Sequence, residues 1–306
     1  MEQGKYSNIK GPGIVSILTL DRLNLTKKAV NSVLENSVED VRIIILDNGS
    51  KDGTLDYLGE LKGKYNSIVD YLISEQNLGV AGGRNRIFRN VISNYGNQFK
   101  WILNLDNDCI VHPGYDKAIT KCIDETGALA VVPRLIQPNG RIFHNAHNGF
   151  LINLDKMQLR LEYADNVDML YDDPRVSKRI LSDVILGTSA KTPQFLDLVG
   201  FYDEGHKIGW EDFSIALKAL GLTKEYFLEW KEKNKHKGEE WVPLKQLMKD
   251  KMDLGVCVMY EPECKITHDH PVTNEHQDYE KIRWRTETIQ QSTDHFEEVW
   301  GLRPIM

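Results

Sequence analysis

The feature that most limits the fold of this chain is a regular alternation of apolar and amphipathic stretches between residues 13 and 105. Four runs of strand length are rich in apolar residues, and between them lie stretches whose apolar residues recur at helical spacing. Strands that are apolar on both faces and alternate with helices are typical of a mostly parallel sheet covered on both sides. The sequence therefore predicts an α/β fold with strands at residues 13–20, 41–46, 67–74 and 101–105, and helices at residues 24–35, from residue 52, and at 81–93.

The second half of the chain is less regular. Short apolar runs predict strands at residues 128–132, around 183–186 and at 255–260. Residues 223–251 are dense in Lys and Glu with occasional Trp, Phe and Leu, which predicts exposed helices around a polar break; an acceptor-binding surface is the alternative for this segment. We therefore expect a main domain of residues 1–220 and a C-terminal, largely helical elaboration of residues 221–306.

Composition and charge argue against several classes of protein. The net charge of −7 and the pI near 5.8 disfavour a nucleic-acid partner, because neutralising phosphates needs clustered Lys and Arg. The apolar runs are too short to span a bilayer, and the first ten residues lack the apolar region of a signal peptide, so we expect a cytoplasmic chain without a transmembrane segment. The four cysteines form no CxxC pair, which indicates reduced thiols.

Polar residues follow three of the predicted strands at the point where each strand ends. They are Thr19 and Asp21, residues 47–52, and Asp106 with Asp108. Ligands of such sheets bind beyond the carboxyl ends of the strands. We therefore expect these three loops to meet at one edge of the sheet.

Asp106 and Asp108 carry the strongest chemical signal. They are two residues apart directly after an apolar strand, and in extended backbone residues i and i+2 project to the same side. Both carboxylates would then coordinate one hard cation, Mg²⁺ or Mn²⁺, which also binds diphosphate oxygens and neutralises a departing nucleoside diphosphate. The alternative is a solvated Asp-Asn-Asp turn at the end of a strand.

Two further segments support a nucleotide site. Asp47 can accept hydrogen bonds from a base or a ribose hydroxyl, while Gly49 permits a tight turn and Ser50 or Asp52 can cap the next helix. The segment from Asn77 to Arg86 places three glycines and two arginines at a helix start, where free N–H groups and an arginine bind anions. Exposure at the surface of an ordinary helix is the alternative for Arg84 and Arg86.

The ordered pieces VSILTL, LDNGSKDGT, NLGVAGGRNR, LDND and GWEDF resemble the GT-A glycosyltransferases, especially family 2, over roughly residues 13–220. The resemblance implies a GT-A fold and a nucleotide-sugar donor. It implies a nucleoside pocket lined by Thr19, Asp21 and Asp47, and a metal-binding DXD motif at Asp106–Asp108. From the glycines and arginine at the predicted helix start, we also expect donor binding by Asn77, Gly79, Gly83 and Arg84.

The same resemblance implies that Glu211 and Asp212 face the acceptor, with Asp212 as the general base of an inverting transfer. An acidic first turn that favours the helix dipole is the alternative for this pair. Some metal-dependent relatives supply a histidine ligand after the last strand, for which His268 is the first candidate and His270 the substitute, with an exposed pair of histidines as the alternative. Imidazole suits Mn²⁺ better than Mg²⁺.

The prediction is a metal-dependent transferase that moves a sugar from a nucleoside diphosphate, UDP favoured over GDP and dTDP, to a hydroxyl of a glycan, lipid, protein or small molecule. A retaining transferase, a nucleotidyltransferase and a non-catalytic sugar-nucleotide or glycan-binding protein are the alternatives. The first loop departs from the common family form by reading Thr-Leu-Asp-Arg at residues 19–22, which leaves the contacts to the base open.

Overall fold

The computed structural model describes residues 11–144, 149–161, 169–234, 240–248, 256–269 and 286–305. The predicted α/β class is confirmed, because a large and mostly parallel sheet lies between two layers of helices. The helices are α1 (Leu23–Asn36), α2 (Thr54–Lys64), α3 (Gly79–Tyr95), α4 (Tyr115–Thr126), α5 (Pro193–Val199), α6 (Glu211–Ala219), α7 (Lys224–Lys233), α8 (Leu244–Leu247) and α9 (Thr286–Trp300), with one 3-10 turn at Pro174–Val176.

Within the part of the chain that the structure describes, ten strands form the large sheet and four form a small one. The large sheet holds β1 (Gly13–Thr19), β2 (Val41–Asp47), β3 (Val69–Ile73), β4 (Trp101–Asp106), β5 (Cys109–Val111), β6 (Ala130–Ile136), β7 (Ile142–His144), β10 (Ile180–Leu181), β11 (Ser189–Lys191) and β13 (Val258–His268). The small sheet, in the order β12-β8-β9-β14, holds β8 (Phe150–Asn153), β9 (Gln158–Leu161), β12 (Val242–Pro243) and β14 (Arg303–Ile305).

The strand order places three loops side by side. The main path of the large sheet runs β10-β13-β6-β11-β4-β1-β2-β3, with β4, β1, β2 and β3 parallel. Carboxyl ends of neighbouring parallel strands lie at the same edge, so the loops after β1, β2 and β4 are adjacent. The antiparallel strand β11 lies between β4 and β6, and it brings residues from late in the chain beside this edge.

Both faces of the parallel strands are buried, as the apolar runs predict. In β2, Ile44 and Leu46 belong to a core shared with α3, whereas Ile43 and Ile45 belong to a core shared with α1, α2 and α4. Alternate residues of a strand point to opposite faces, so an apolar run on a two-sided strand serves both cores. The elements predicted before residue 105 are all present, and their ends differ from the predicted ends by no more than two residues.

The strand predicted around residues 183–186 is wrong. β10 ends at Leu181 and β11 begins at Ser189, and the intervening residues form a loop. Val184 and Ile185 are nevertheless fully buried in the core. A short apolar run reports burial, and burial here is achieved by a loop that packs inward.

The predicted end of the last strand at residue 260 is also wrong. β13 continues to His268, with a shift of register between Glu261 and Lys265 on its partner β6. Pro262 lies within the shifted segment, where the ladder does not need the N–H that proline lacks. His268 is therefore the last residue of a strand and does not follow it.

The segment after residue 220 contributes to both sheets. β13 pairs with β6 in the large sheet, and β12 and β14 lie at the two edges of the small one. In α7, Phe227 and Trp230 are buried in the core, while its charged residues form the outer face. A domain boundary at residue 220 stays a prediction. Among the described residues, no helix combines the length and the apolar character needed to cross a bilayer.

Candidate active site

The chain turns between the two acids that the sequence pairs. β4 ends at Asp106, Asn107 and Asp108 form a turn, and β5 begins at Cys109. The expectation that both carboxylates project to one side assumed extended backbone, which ends at Asp106. The side chain of Asp106 is 40% exposed and that of Asp108 is 3% exposed. Each acid belongs to a different charged cluster.

The first cluster, which we call the Arg84 cluster, comprises Arg84, Asp106, Glu211 and Asp212. The Arg84 guanidinium donates one hydrogen bond to Asp106 Oδ1 at 2.9 Å and another to Asp212 Oδ1 at 3.0 Å. Glu211 Oε1 lies 3.7 Å from the same guanidinium. The Arg84 side chain is only 5% exposed, so one buried cation serves three carboxylates. The predicted donor-side and acceptor-side residues therefore meet at one point.

This surplus of acid changes the protonation of the cluster. Burial, reinforced by the charge of Asp212 and opposed by Arg84, raises the pKa of Glu211 to about 7. Burial also raises the pKa of Asp212 against the effect of Arg84. Asp212 nevertheless keeps 23% of its side chain exposed, whereas Glu211 is buried. Asp212 is thus a carboxylate with raised proton affinity that solvent and ligands can reach.

Lys191 and Tyr202 are buried beside the Arg84 cluster. The Lys191 ammonium donates to Ser189 Oγ at 2.8 Å and lies 5.3 Å from the centre of the Tyr202 ring. Burial and the charge of Arg84 lower the pKa of Lys191 to about 7, against the pull of Asp212 and Asp106. The Arg84 guanidinium lies over the same ring, also at 5.3 Å.

The loop after Ile185 contacts the carboxylates directly. A Cβ on Gly187 would lie 2.6 Å from Arg84 Nη2 and 3.2 Å from both Asp106 Oδ2 and Asp212 Oδ2. The Thr188 hydroxyl donates to Asp106 Oδ2 at 3.3 Å. Only glycine at position 187 therefore leaves the Arg84 cluster undisturbed.

The second cluster, which we call the Asp108 cluster, comprises Asp108, Arg22 and His268 with the adjacent Cys109. Arg22 Nη2 lies 3.2 Å from Asp108 Oδ2, and His268 Nε2 lies 3.4 Å from Asp108 Oδ1. The register of β5 on β13 pairs His268 with Cys109, which is why the histidine reaches Asp108.

The Asp108 cluster fits a divalent cation. Ligand atoms of Asp108, Cys109 and His268 all lie within 4.8 Å of one another, and Asp106 is outside this group. A carboxylate and an imidazole suit Mn²⁺. Burial raises the pKa of the Cys109 thiol well above its usual value, so this sulfur is a neutral and weak ligand for a hard cation. His270, the substitute ligand, lies outside the described residues.

The expected nucleoside-pocket residues lie on adjacent loops, and each is positioned by hydrogen bonds to neighbouring residues of these loops and strands. The Thr19 hydroxyl contacts Thr26 Oγ1 at 2.7 Å and accepts a hydrogen bond from Asn107 at 3.3 Å. Asp21 Oδ1 accepts the Lys51 amide at 2.7 Å, and Asp47 Oδ1 accepts the Ser50 amide at 3.0 Å. The three loops thus meet at one edge, as predicted, and the base-binding roles stay predictions.

The glycines at the start of α3 have packing reasons. Gly79 has a φ of +74°, and a Cβ there would lie 2.5 Å from the Lys207 carbonyl oxygen. A Cβ on Gly83 would lie 2.5 Å from Leu18 Cδ1, so this glycine allows α3 to approach β1. Asn77 Oδ1 accepts the Gly79 amide at 2.8 Å and fixes the turn. Donor contact by Asn77, Gly79 and Gly83 stays a prediction.

Sequence reasoning did not separate Arg84 from Arg86 and missed several residues. Arg86 is exposed, whereas Arg84 is buried in its cluster. Arg22, Gly187 and Lys191 were not assigned roles, because no periodicity or spacing links them to the acids. The Gly187–Thr188 pair after an apolar run is a turn signal that marks the loop but does not identify its contacts.

Comparisons with known proteins agree with this fold. The sequence profile described as glycosyl transferase family 2 matches residues 15–181. A crystal structure of GalNAc-T7 with UDP, GalNAc and Mn²⁺ superposes with a TM-score of 0.58 at 16% identity, covering 86% of this chain and 44% of that one. The mannosyltransferase PcManGT from Pyrobaculum calidifontis, in complex with GDP-Man and Mn²⁺, superposes with a TM-score of 0.55 at 12% identity, covering 94% and 65%.

The present chain thus spans less than half of the GalNAc-T7 chain and just under two thirds of the mannosyltransferase chain. At these identities the likeness concerns the fold. No curated protein gives a significant match to the sequence.

Proposed function

Because the chain belongs to glycosyl transferase family 2, which matches more than half of it, we propose that it is a metal-dependent glycosyltransferase. It moves a sugar from a nucleoside diphosphate to an acceptor hydroxyl with inversion at the anomeric carbon. The observation that carries this proposal is the single Arg84 guanidinium that binds both Asp106 and Asp212. It couples the acid expected beside the donor to the acid expected beside the acceptor.

The Asp108 cluster is the donor side of the proposal. Asp108 and His268 would hold Mn²⁺ or Mg²⁺, which when bound neutralises charge on the departing diphosphate. Arg22 already neutralises Asp108 in part and keeps its second oxygen in place. The GalNAc-T7 and mannosyltransferase structures both contain Mn²⁺, with UDP and GDP-Man respectively. This supports a nucleoside-diphosphate sugar as donor, and we favour a UDP-sugar.

The Arg84 cluster is the acceptor side. Asp212 takes the proton of the acceptor hydroxyl while that oxygen bonds to the anomeric carbon and the bond from this carbon to the phosphate oxygen breaks. Its raised pKa makes Asp212 a stronger base than an ordinary aspartate. Arg84 fixes the carboxylate on one oxygen and leaves the other for the proton. Glu211, buried with a pKa of about 7, lies 3.7 Å from Arg84 Nη1, the same nitrogen that donates to Asp212.

A donor panel tests the proposal. Purified protein is incubated with Mn²⁺ or Mg²⁺ and UDP-, GDP- or dTDP-sugars, and thermal stability and released nucleoside diphosphate are measured together. The proposal expects one donor to stabilise the protein and to be hydrolysed slowly, only with metal. With an acceptor in hand, NMR of the product should give the inverted anomer, and a retained anomer would remove Asp212 as the base of a single displacement.

Failure of every donor to bind would contradict the proposal. Binding of a donor without hydrolysis or transfer would instead favour the non-catalytic alternative. Asp212→Asn is the matched control in each assay, because it should bind the same donor and lose turnover.

A further inference from the structure

A second group of metal-ligating side chains lies outside both clusters, where α9 meets the segment between α5 and α6. It comprises Asp203, His206 and His295, and one ligand atom of each lies within 4.8 Å of the others. His295 Nε2 lies 2.9 Å from Asp203 Oδ2. The rings of His206 and His295 meet edge to face with centroids 4.9 Å apart. A Cβ on Gly205 would overlap the His295 ring, so the glycine leaves room for it.

His206 is the observation that calls for a ligand. Its side chain is buried, and neither ring nitrogen makes a hydrogen bond of good geometry within the described residues, although the backbone of Ser292 lies near the ring. Buried polar atoms in folded proteins are almost always paired with protein, water or an ion.

We propose that Asp203, His206 and His295 bind one Zn²⁺ ion in a site separate from the Asp108 cluster. Two imidazoles and one carboxylate are a ligand set that zinc favours, and a water molecule supplies the fourth position. Mg²⁺ prefers oxygen ligands and suits this set poorly. Binding at Nε2 of His295 shifts the ring proton to Nδ1, so the imidazole stays neutral and the facing oxygen of Asp203 is free to coordinate the ion.

The position of the site suggests what the ion does. The amides of Lys207 and Ile208 donate to Ser292 Oγ of α9, and Trp210 Nε1 donates to Thr293 Oγ1. The same segment packs Tyr202 against Arg84 and leads into Glu211 and Asp212. Zinc would bridge α9 and this segment, and it would thereby restrict the movement of Tyr202 beside Arg84. The inference does not rest on the proposed transfer reaction.

The test compares one substitution in two places. Chelator-treated wild type, His295→Gln and His268→Gln are titrated with Zn²⁺ by calorimetry, and bound metal is counted after dialysis. We expect His268→Gln, whose Asp108 cluster lacks its imidazole, to retain the proposed site and to hold one zinc ion per chain. We expect His295→Gln to lose at least about 10-fold in affinity there, the lower end of what loss of an outer partner alone causes. Zinc should also raise the melting temperature of His268→Gln and not that of the double variant His268→Gln/His295→Gln.

Cobalt substitution identifies the ligands independently. Co²⁺ in the proposed site should give visible absorption without a sulfur-to-cobalt charge-transfer band, because the site contains no thiol, whereas the Asp108 cluster includes Cys109. Wild type that binds no zinc, or whose zinc disappears in His268→Gln and survives in His295→Gln, would overturn the proposal. If circular dichroism shows that His295→Gln is unfolded, Asp203→Asn carries the same test, and unchanged zinc affinity in it overturns the proposal.

Discussion

Asp106 and Asp108 are two residues apart, yet they occupy opposite environments. Asp106 is 40% exposed and shares Arg84 with two other acids, while Asp108 is 3% exposed and faces Arg22 and His268. The turn at residues 107–108 sends the two side chains to different partners. Spacing in a sequence predicts a shared ligand only where the backbone stays extended.

The two clusters also differ in their balance of charge. In the Arg84 cluster one guanidinium meets three carboxylates. Burial is the larger cause of the raised pKa values of Glu211 and Asp212, and the neighbouring carboxylates raise both values further. In the Asp108 cluster one guanidinium meets one carboxylate and an imidazole. The surplus of acid in the first cluster raises proton affinity and suits proton transfer, whereas the second suits a divalent cation through its ligand atoms, a carboxylate and an imidazole, and not through its charge.

Substitution of Asp212 should have the largest effect on turnover. Asp212→Asn removes the proposed base and keeps the size of the side chain, so we expect transfer to fall about 10²- to 10⁴-fold, the usual contribution of a general base. Nucleotide affinity should stay within a few-fold of wild type. Asp124→Asn, the same change at an exposed residue of α4, is the control. Equal turnover in the two variants would remove Asp212 from the role.

Loss of the shared cation should have the largest effect on stability. Arg84→Met leaves Asp106, Glu211 and Asp212 without their counter-charge, and breaking a buried pair this way reduces the free energy of unfolding by about 3 kcal/mol. Arg86→Met is the matched control on the exposed side of the same helix, with a change of about 0.5 kcal/mol or less. Urea unfolding measures both. Similar values would show that the Arg84 cluster does not need its cation.

The pKa of Glu211 predicts a slope of stability with pH. Its pKa is raised from 4.5 to about 7 on folding, so the folded state binds more protons between these values. The contribution of Glu211 to the free energy of unfolding should therefore fall as pH rises through this window, by at most about 1.4 kcal/mol for each pKa unit, while His206, whose pKa is lowered to about 4, acts in the opposite direction. Lys191, whose pKa in the folded protein is about 7, is protonated in the folded and the unfolded state below that pH, so it changes the pH dependence of stability only above pH 7. Glu211→Gln should flatten the slope, and an unchanged slope would assign it to another group.

A methyl group at Gly187 should have the smallest effect. Gly187→Ala places a Cβ 2.6 Å from Arg84 Nη2, and we expect the free energy of unfolding to fall by about 1 kcal/mol as the cluster shifts. Gly59→Ala, within α2 where a Cβ meets nothing within 4 Å, should leave stability unchanged or raise it by about 0.5 kcal/mol. Turnover should drop in the first variant alone. An unchanged free energy of unfolding in Gly187→Ala would show that the Arg84 cluster has space for a methyl group.

Much of the fold follows from local pattern, and much of the site does not. The strands and helices from β1 to β4 were predictable because their apolar periodicity is strong and each lies between neighbours of the other kind. The apolar run around residues 183–186 led to a wrong strand prediction, because a buried loop and a buried strand have the same apolar pattern in sequence. The length of β13 was hidden by its proline and charged residues, which the register shift on β6 accommodates.

The partners of the charged residues depend on contacts between distant parts of the chain. Arg84 reaches Asp212 across 128 positions of sequence, and no local pattern reports such a pair. Glu211 and Asp212 are adjacent but differ in exposure, because α6 begins at Glu211 and turns its side chain inward. Sequence pattern identified the acids, and only the fold assigns them to separate clusters.

The central claim is that the Asp108 cluster binds the metal and the nucleotide while the Arg84 cluster moves the proton. The most direct test is a calorimetric titration of wild type, His268→Gln and Asp212→Asn with UDP, with and without Mn²⁺. The account predicts that His268→Gln weakens Mn²⁺-dependent UDP binding by at least about 10-fold, while Asp212→Asn binds within a few-fold of wild type. Equal losses in both variants, or a loss in Asp212→Asn alone, would contradict the division between the two clusters.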